Sequence, residues 1–231
     1  MKKILIMAAV VSAVVFSSCG MGGRSVKTDL DSVAYAFGID MGNYLKTIDS
    51  TMNPNLIAKG IIDAFKNQGI SQDSARNILQ EYFMIKLPLK QQRAEEDFLA
   101  GVPKNNINAT VRESGLIYEV LEPGDENVRA AINDKVLVNY HGTLRDGSTF
   151  DQRDSASFLL APRALVPGWL EAIPLLGQGG KARFWIPSEL GYGPQGKRDM
   201  FGNPVIGPYE TLIFEIELLE VTPAEETPEV K

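Results

Sequence analysis

Across residues 28–101 apolar side chains recur every three or four positions. Leu30, Val33, Ala34, Phe37, Met41, Leu45 and Ile48 mark one face of a first helix. Asn53-Pro54 fits an N-cap followed by a proline at the first helical position. Leu56, Ile57, Ile61, Ala64 and Phe65 form the stripe of that second helix, and Gly69 closes it. A third helix, capped by Ser71 or Asp73, carries Ile78, Leu79, Tyr82, Phe83, Ile85 and Leu89. It runs on through the charged stretch 91–97 to near Ala100, roughly 40 Å in all. Pro88 lies inside it, removing an N–H and crowding the turn before it, so a kink or break is expected there. Three such helices share too little surface for a firm core. Their stripes call for a partner, most simply a second copy of the chain. A small self-sufficient helical domain is the alternative.

Residues 101–110 read as a polar linker containing Pro103. After it the period changes to two. Residues 115–121, 135–144, 182–187 and 210–221 read as strands, rich in β-branched, aromatic and Leu residues. Arg145-Asp146-Gly147-Ser148 signals a turn. Only 169–176 looks like a short helix among these strands, shortened by Pro174. The fold class is therefore α+β, an all-helical part followed by an antiparallel sheet wrapped on one helix. The end, 223–231, is rich in Glu and Pro and reads as a disordered tail.

The first residues read as a leader. Lys2 and Lys3 precede an apolar or small run over 4–16, too short to span a membrane. Phe16-Ser17-Ser18-Cys19-Gly20 follows and resembles a bacterial lipobox, with Phe16 less usual than Leu at its position. The resemblance implies a signal peptide over 1–18, lipidation of Cys19 and a tether over 19–27. An ordinary signal peptide with a spare cysteine is the alternative. Cys19 is the only cysteine, so an internal disulfide and a Cys-rich metal site are excluded. The formal net charge is −6, and loss of Lys2 and Lys3 takes it to −8. No basic surface is left to follow a nucleic-acid backbone.

Conventional catalytic groups are missing. His141 is the only histidine, in a strand beside Tyr140, so the two side chains point to opposite faces. It reads as a surface residue. One His without a free Cys argues against a zinc site, and no nucleophile elbow accompanies it. Gly177-Gln178-Gly179-Gly180 precedes a strand, so it reads as a turn and not a phosphate cradle. Asp151 has no obvious carboxylate partner. Aromatic residues instead concentrate at turns and strand ends: Tyr140, Phe150, Phe158, Trp169, Phe184, Trp185, Tyr192 and Phe214. Glycines beside Tyr140-His141 and on both sides of Tyr192 let a backbone or ligand approach closely.

At these residues the chain resembles the FKBP-type peptidyl-prolyl cis-trans isomerases. The matching pieces are Val138-Asn139-Tyr140-His141-Gly142-Thr143-Leu144, Asp146-Gly147-Ser148-Thr149-Phe150-Asp151, Phe158-Leu159-Leu160 and Leu165-Val166-Pro167-Gly168-Trp169. Gly179-Gly180-Lys181-Ala182, the run Ile186-Pro187-Ser188-Glu189-Leu190-Gly191-Tyr192-Gly193 and the final strand 211–218 complete the series, in order, over 133–221. In the first half, 31–45, 60–64 and 114–121 resemble the helical region of the macrophage infectivity potentiator class, exported dimeric isomerase-chaperones. The resemblance implies a helical dimerisation domain over 28–110 and an isomerase domain over 111–222.

Carried over residue by residue, the resemblance makes Trp169 the floor of an apolar cleft. It makes Tyr140, Phe150, Phe158, Leu165, Val166, Ile206 and Phe214 the walls. Asp151 and Tyr192 would be its polar groups, with the Val166 backbone N–H a donor to a bound carbonyl. Phe150, Asp151 and Tyr192 would carry catalysis. The implied ligands are proline-containing polypeptides and macrolide-type inhibitors, with no cofactor. The implied setting is the bacterial cell envelope, periplasm-facing or surface. A chaperone or scaffold that kept the fold without turnover is the alternative. Two further departures stand out. Ala156 occupies a position where many relatives place an aromatic residue. The loop 193–209 is about five residues longer than in short members, through Lys197, Arg198, Asp199, Met200 and Phe201.

Overall fold

A computed structural model describes residues 26–224. The expected leader, Cys19 and most of the tail lie outside them. The chain divides into two compact units, one ending at Ser71 and the other beginning at Gln72.

In the first unit, helix α1 (Asp29–Ile48) opens on a reciprocal cap. The Thr28 hydroxyl accepts from the Asp31 N–H at 3.1 Å, and the Asp31 carboxylate accepts from the Thr28 N–H at 3.0 Å. Helix α2 (Pro54–Phe65) starts where the sequence predicts, with the Asn53 side chain accepting from the Asn55 N–H. Neither helix contains a buried residue, and Leu30, Phe37 and Phe65 are 77%, 69% and 88% exposed.

The second unit opens with helices α3 (Gln72–Glu81) and α4 (Leu87–Asn105). Of the kink or break expected at Pro88, no break occurs. Tyr82–Lys86 forms a π-helical turn instead, with the Leu87 N–H bonded to the Tyr82 carbonyl. This wider turn lies just before Pro88, where the ring would otherwise crowd an α-helical carbonyl. The helix also passes its expected end near Ala100 and runs through Gly101 and Pro103 to Asn105. Tertiary packing overrides the breakers, since Phe98, Leu99 and Val102 bury themselves against Ile117 and Trp185.

Ten strands follow: β1 (Thr110–Val111), β2 (Ile117–Glu122), β3 (Asp125–Arg129), β4 (Lys135–Thr143), β5 (Thr149–Leu159), β6 (Gly177–Gln178), β7 (Lys181–Ile186), β8 (Lys197–Arg198), β9 (Pro204–Ile206) and β10 (Leu212–Thr222). Six form an antiparallel sheet in the order β1-β2-β7-β10-β4-β5, while β3 pairs with β6 and β8 with β9. Alternation sends Val136, Val138 and Tyr140, Ala182, Phe184 and Ile186, and Leu212, Phe214, Ile216 and Leu218 to one buried face. Helix α5 (Pro167–Ala172) packs on that face, then tightens into a 3₁₀ turn over Ile173–Leu175, where Pro174 ends it. A Cβ on Gly168 would collide with Ile186 Cγ2, so the glycine lets α5 lie directly on β7. Trp185 faces the other side of the sheet and is buried there by the end of α4.

Glu95 of α4 is buried, and among the described residues it forms no ion pair with a Lys or Arg; its partners are neutral. Its carboxylate accepts from the Ser188 N–H at 2.6 Å, the Ser188 hydroxyl at 2.7 Å and the Thr211 hydroxyl at 3.2 Å. Three neutral donors satisfy the charge. One side chain thereby holds both the turn that leads to Tyr192 and the residue before β10.

Candidate active site

The front face of the sheet opens into a cleft of about 310 Å³ between β4, β5, β10 and the start of α5. Trp169 is its centre. It is 4% exposed and meets three rings edge to face: Tyr140 at 5.1 Å, Phe158 at 5.3 Å and Phe214 at 5.2 Å between centroids. Phe150 continues the chain of rings, 5.3 Å from Phe214. Edge-to-face contacts set the positive rim of one ring on the negative face of the next, which fixes orientation as well as burial. Gly142 leaves room for the Phe150–Phe214 contact. A Cβ there would lie 2.6 Å from Phe214 and 2.8 Å from Phe150.

Polar groups are few. The Tyr140 hydroxyl donates to Asp151 Oδ2 at 2.9 Å, across the β4–β5 pair in which Asp151 stands opposite Gly142. Tyr140 and Asp151 are thus diagonal neighbours on one face of the pair. Burial, and then the hydrogen bond to the carboxylate, pushes the Tyr140 phenol up to about 12. It stays a donor throughout the physiological range. Because the folded value lies above the ordinary 10.0, the stabilisation is complete below pH 10 and is lost as pH rises through about 12. A tyrosine absorbance titration is expected to show a step near 12 that Tyr140→Phe removes. A titration unchanged by that substitution would contradict the arrangement.

Tyr192 and Val166 complete the rim. Val166 has an extended backbone and caps α5, its carbonyl accepting from the Trp169 N–H at 3.0 Å. Among the described residues, neither the Val166 N–H nor the Tyr192 hydroxyl has a hydrogen-bond partner within the protein. Lys197 Nζ lies 5.2 Å from the Tyr192 ring centroid. His141 points away, exposed, with Nε2 2.8 Å from Thr149 Oγ1. Among the described residues no group of three or more His, Cys, Asp or Glu is placed to hold a metal.

Comparison with known proteins adds the family. Residues 126–219 match the family described as FKBP-type peptidyl-prolyl cis-trans isomerase, and residues 30–120 match the domain amino-terminal to it. Outer membrane protein MIP of Legionella longbeachae is 30% identical over 97% of this chain and 100% of its own length. The chain belongs to the FKBP-type peptidyl-prolyl cis-trans isomerases. FkpA of Escherichia coli K12 is likewise 30% identical, over 86% of this isomerase and 78% of FkpA. The crystal structure of FkpA from Escherichia coli covers 87% of this isomerase and 100% of that chain, with a TM-score of 0.53.

The structure brings Tyr140, Phe150, Asp151, Phe158, Leu165, Val166, Trp169, Tyr192 and Phe214 of this isomerase to one cleft. Ile206 is the exception: it is buried in the core and is not among the residues around the cavity. Arg163, Ala164 and Leu212 line it instead. Leu212 was legible as the start of a buried strand. Arg163 was not, because its left-handed backbone, φ 71°, belongs to a loop with no periodicity. Ala156 packs half-buried against the core opposite Val138.

Proposed function

We propose that this cleft is where the isomerase turns X-Pro bonds, and that it does so without covalent chemistry. The barrier is the ~18–20 kcal/mol cost of twisting a resonant amide, crossed unaided in tens to hundreds of seconds. An acceleration of ~10⁴–10⁵-fold needs about 5.5–7 kcal/mol. The twisted amide loses resonance and its carbonyl becomes less polar, so a dry aromatic wall favours it over the planar form. Phe150, Trp169 and Phe214 seat the proline ring and exclude water. The Val166 N–H and the Tyr192 hydroxyl orient the peptide, and the Tyr140–Asp151 pair is a fixed dipole beside the bond. The carrying observation is the ring cluster around Trp169, open on one side, with two unengaged donors on its rim.

The chain has two tryptophans, so Trp185→Phe leaves Trp169 as the sole indole reporter. Titrating that variant with a Leu-Pro peptide is expected to change its fluorescence with a midpoint that matches KM. A flat titration would contradict the seat. The uncovered apolar faces of α1 and α2 support a homodimer formed through the N-terminal helices, and a monomer by light scattering at micromolar concentration would contradict it. The names of the relatives and the residues around Cys19 support a lipid-anchored protein of the cell envelope that assists folding of exported chains.

A further inference from the structure

The inserted segment of the loop 193–209 is a built hairpin, β8 paired with β9. Its root is fixed to the cleft. Gly196 and Tyr209 both donate their N–H groups to the Gly193 carbonyl, at 3.4 and 3.1 Å, Lys197 lies over the Tyr192 ring, and Ile206 is buried in the core. Its tip is fixed to itself. The Asp199 carboxylate accepts from the N–H groups of Phe201 and Asn203 at 2.8 Å each, and the Arg198 guanidinium donates to the Gly202 carbonyl at 2.8 Å. This ordered turn leaves Met200 and Phe201 89% and 82% exposed. Two large adjacent apolar side chains held in water on a rigid turn mark a contact surface more than a loose loop does.

We infer that Met200 and Phe201 form a second contact for the polypeptide substrate, taking apolar residues that flank the proline seated in the cleft. This rests on the reading of the cleft as the isomerisation site. The reach suits it: Met200 is three residues along the chain from Lys197, which lies beside Tyr192, so at most roughly 10 Å away. An extended polypeptide covers that in about three residues at ~3.3–3.6 Å each. A tetrapeptide ends before the tip, whereas an unfolded protein passes over it. A flexible thioether beside an aromatic ring suits varied apolar sequence.

The test is the double variant Met200→Ser, Phe201→Ser against wild type in three assays. The first is isomerisation of a proline tetrapeptide. The second is catalysed refolding of a reduced, carboxymethylated protein limited by a prolyl step. The third is co-sedimentation with vesicles of phosphatidylglycerol and phosphatidylethanolamine. The peptide kcat/KM is expected to stay within about twofold, while that for the protein falls about tenfold through KM. Vesicle binding is expected not to change. Unchanged refolding would overturn the proposal. So would equal losses on peptide and protein, which would mean a damaged cleft, or a loss of vesicle binding alone, which would assign the tip to a membrane. A wild-type protein inactive on the tetrapeptide would remove the cleft reading itself, and the tip proposal with it.

Discussion

Asp151→Ala is expected to lower kcat/KM for a proline tetrapeptide by about 10–100-fold, with a loss of stability of no more than about 3 kcal/mol at neutral pH. The side chain sits at the cleft rim, so its removal opens no deep cavity. It does remove the acceptor of the Tyr140 hydroxyl. Losing one partner of a hydrogen bond to a charged group costs ~1.5–3 kcal/mol, about one to two decades in rate if the pair acts in the transition state. Asp151→Asn separates two explanations. It keeps an oxygen to accept from Tyr140 while removing the charge and any capacity to act as a base. A fixed dipole predicts that Asn retains more activity than Ala. Equal and severe losses in both variants would assign the work to the negative charge.

Trp169→Ala is expected to cost about 3–5 kcal/mol of unfolding stability, read as a lowered urea midpoint. The indole is nearly enclosed and supports Tyr140, Phe158 and Phe214 at once. Edge-to-face pairs add ~0.5–1.5 kcal/mol each beyond burial, and these three share one ring, so their losses couple. The variant is also expected to lose isomerisation, because three ring walls lose their common support. A loss below about 1 kcal/mol would show that Trp169 is packed far more loosely than its contacts indicate.

The central strands were legible in the sequence because one of their faces is buried, and burial writes a period of two. β4, β7 and β10 lie within two residues of their expected bounds. β5 was hidden by its position at the sheet edge. Its middle, Gln152 to Ser155, is exposed, Ser155 has φ 51°, and register shifts interrupt its pairing with β4. β3 is exposed throughout and carries no alternation. Glu95 stood in a charged stretch, 91–97, that carries no sign of burial. Its burial depends on Ser188 and Thr211, ninety-three and more residues away along the chain. The same holds for the end of α4, where Gly101 and Pro103 announce a stop that packing on Trp185 overrides. The aromatic members of the cleft were legible as a resemblance, residue by residue. What joins them was not: the Tyr140–Asp151 bond is diagonal across a strand pair, one of which the sequence did not announce.

On the proposed reading, a cleft of aromatic rings turns X-Pro bonds without a nucleophile or a metal. Exchange NMR on a short Leu-Pro peptide at equilibrium, with a catalytic amount of the protein, tests it most directly. Cis–trans exchange is expected to move from tens to hundreds of seconds to below a second, and to return most of the way to the uncatalysed rate with Asp151→Ala. Exchange that stays at its uncatalysed rate with the wild-type protein would contradict it.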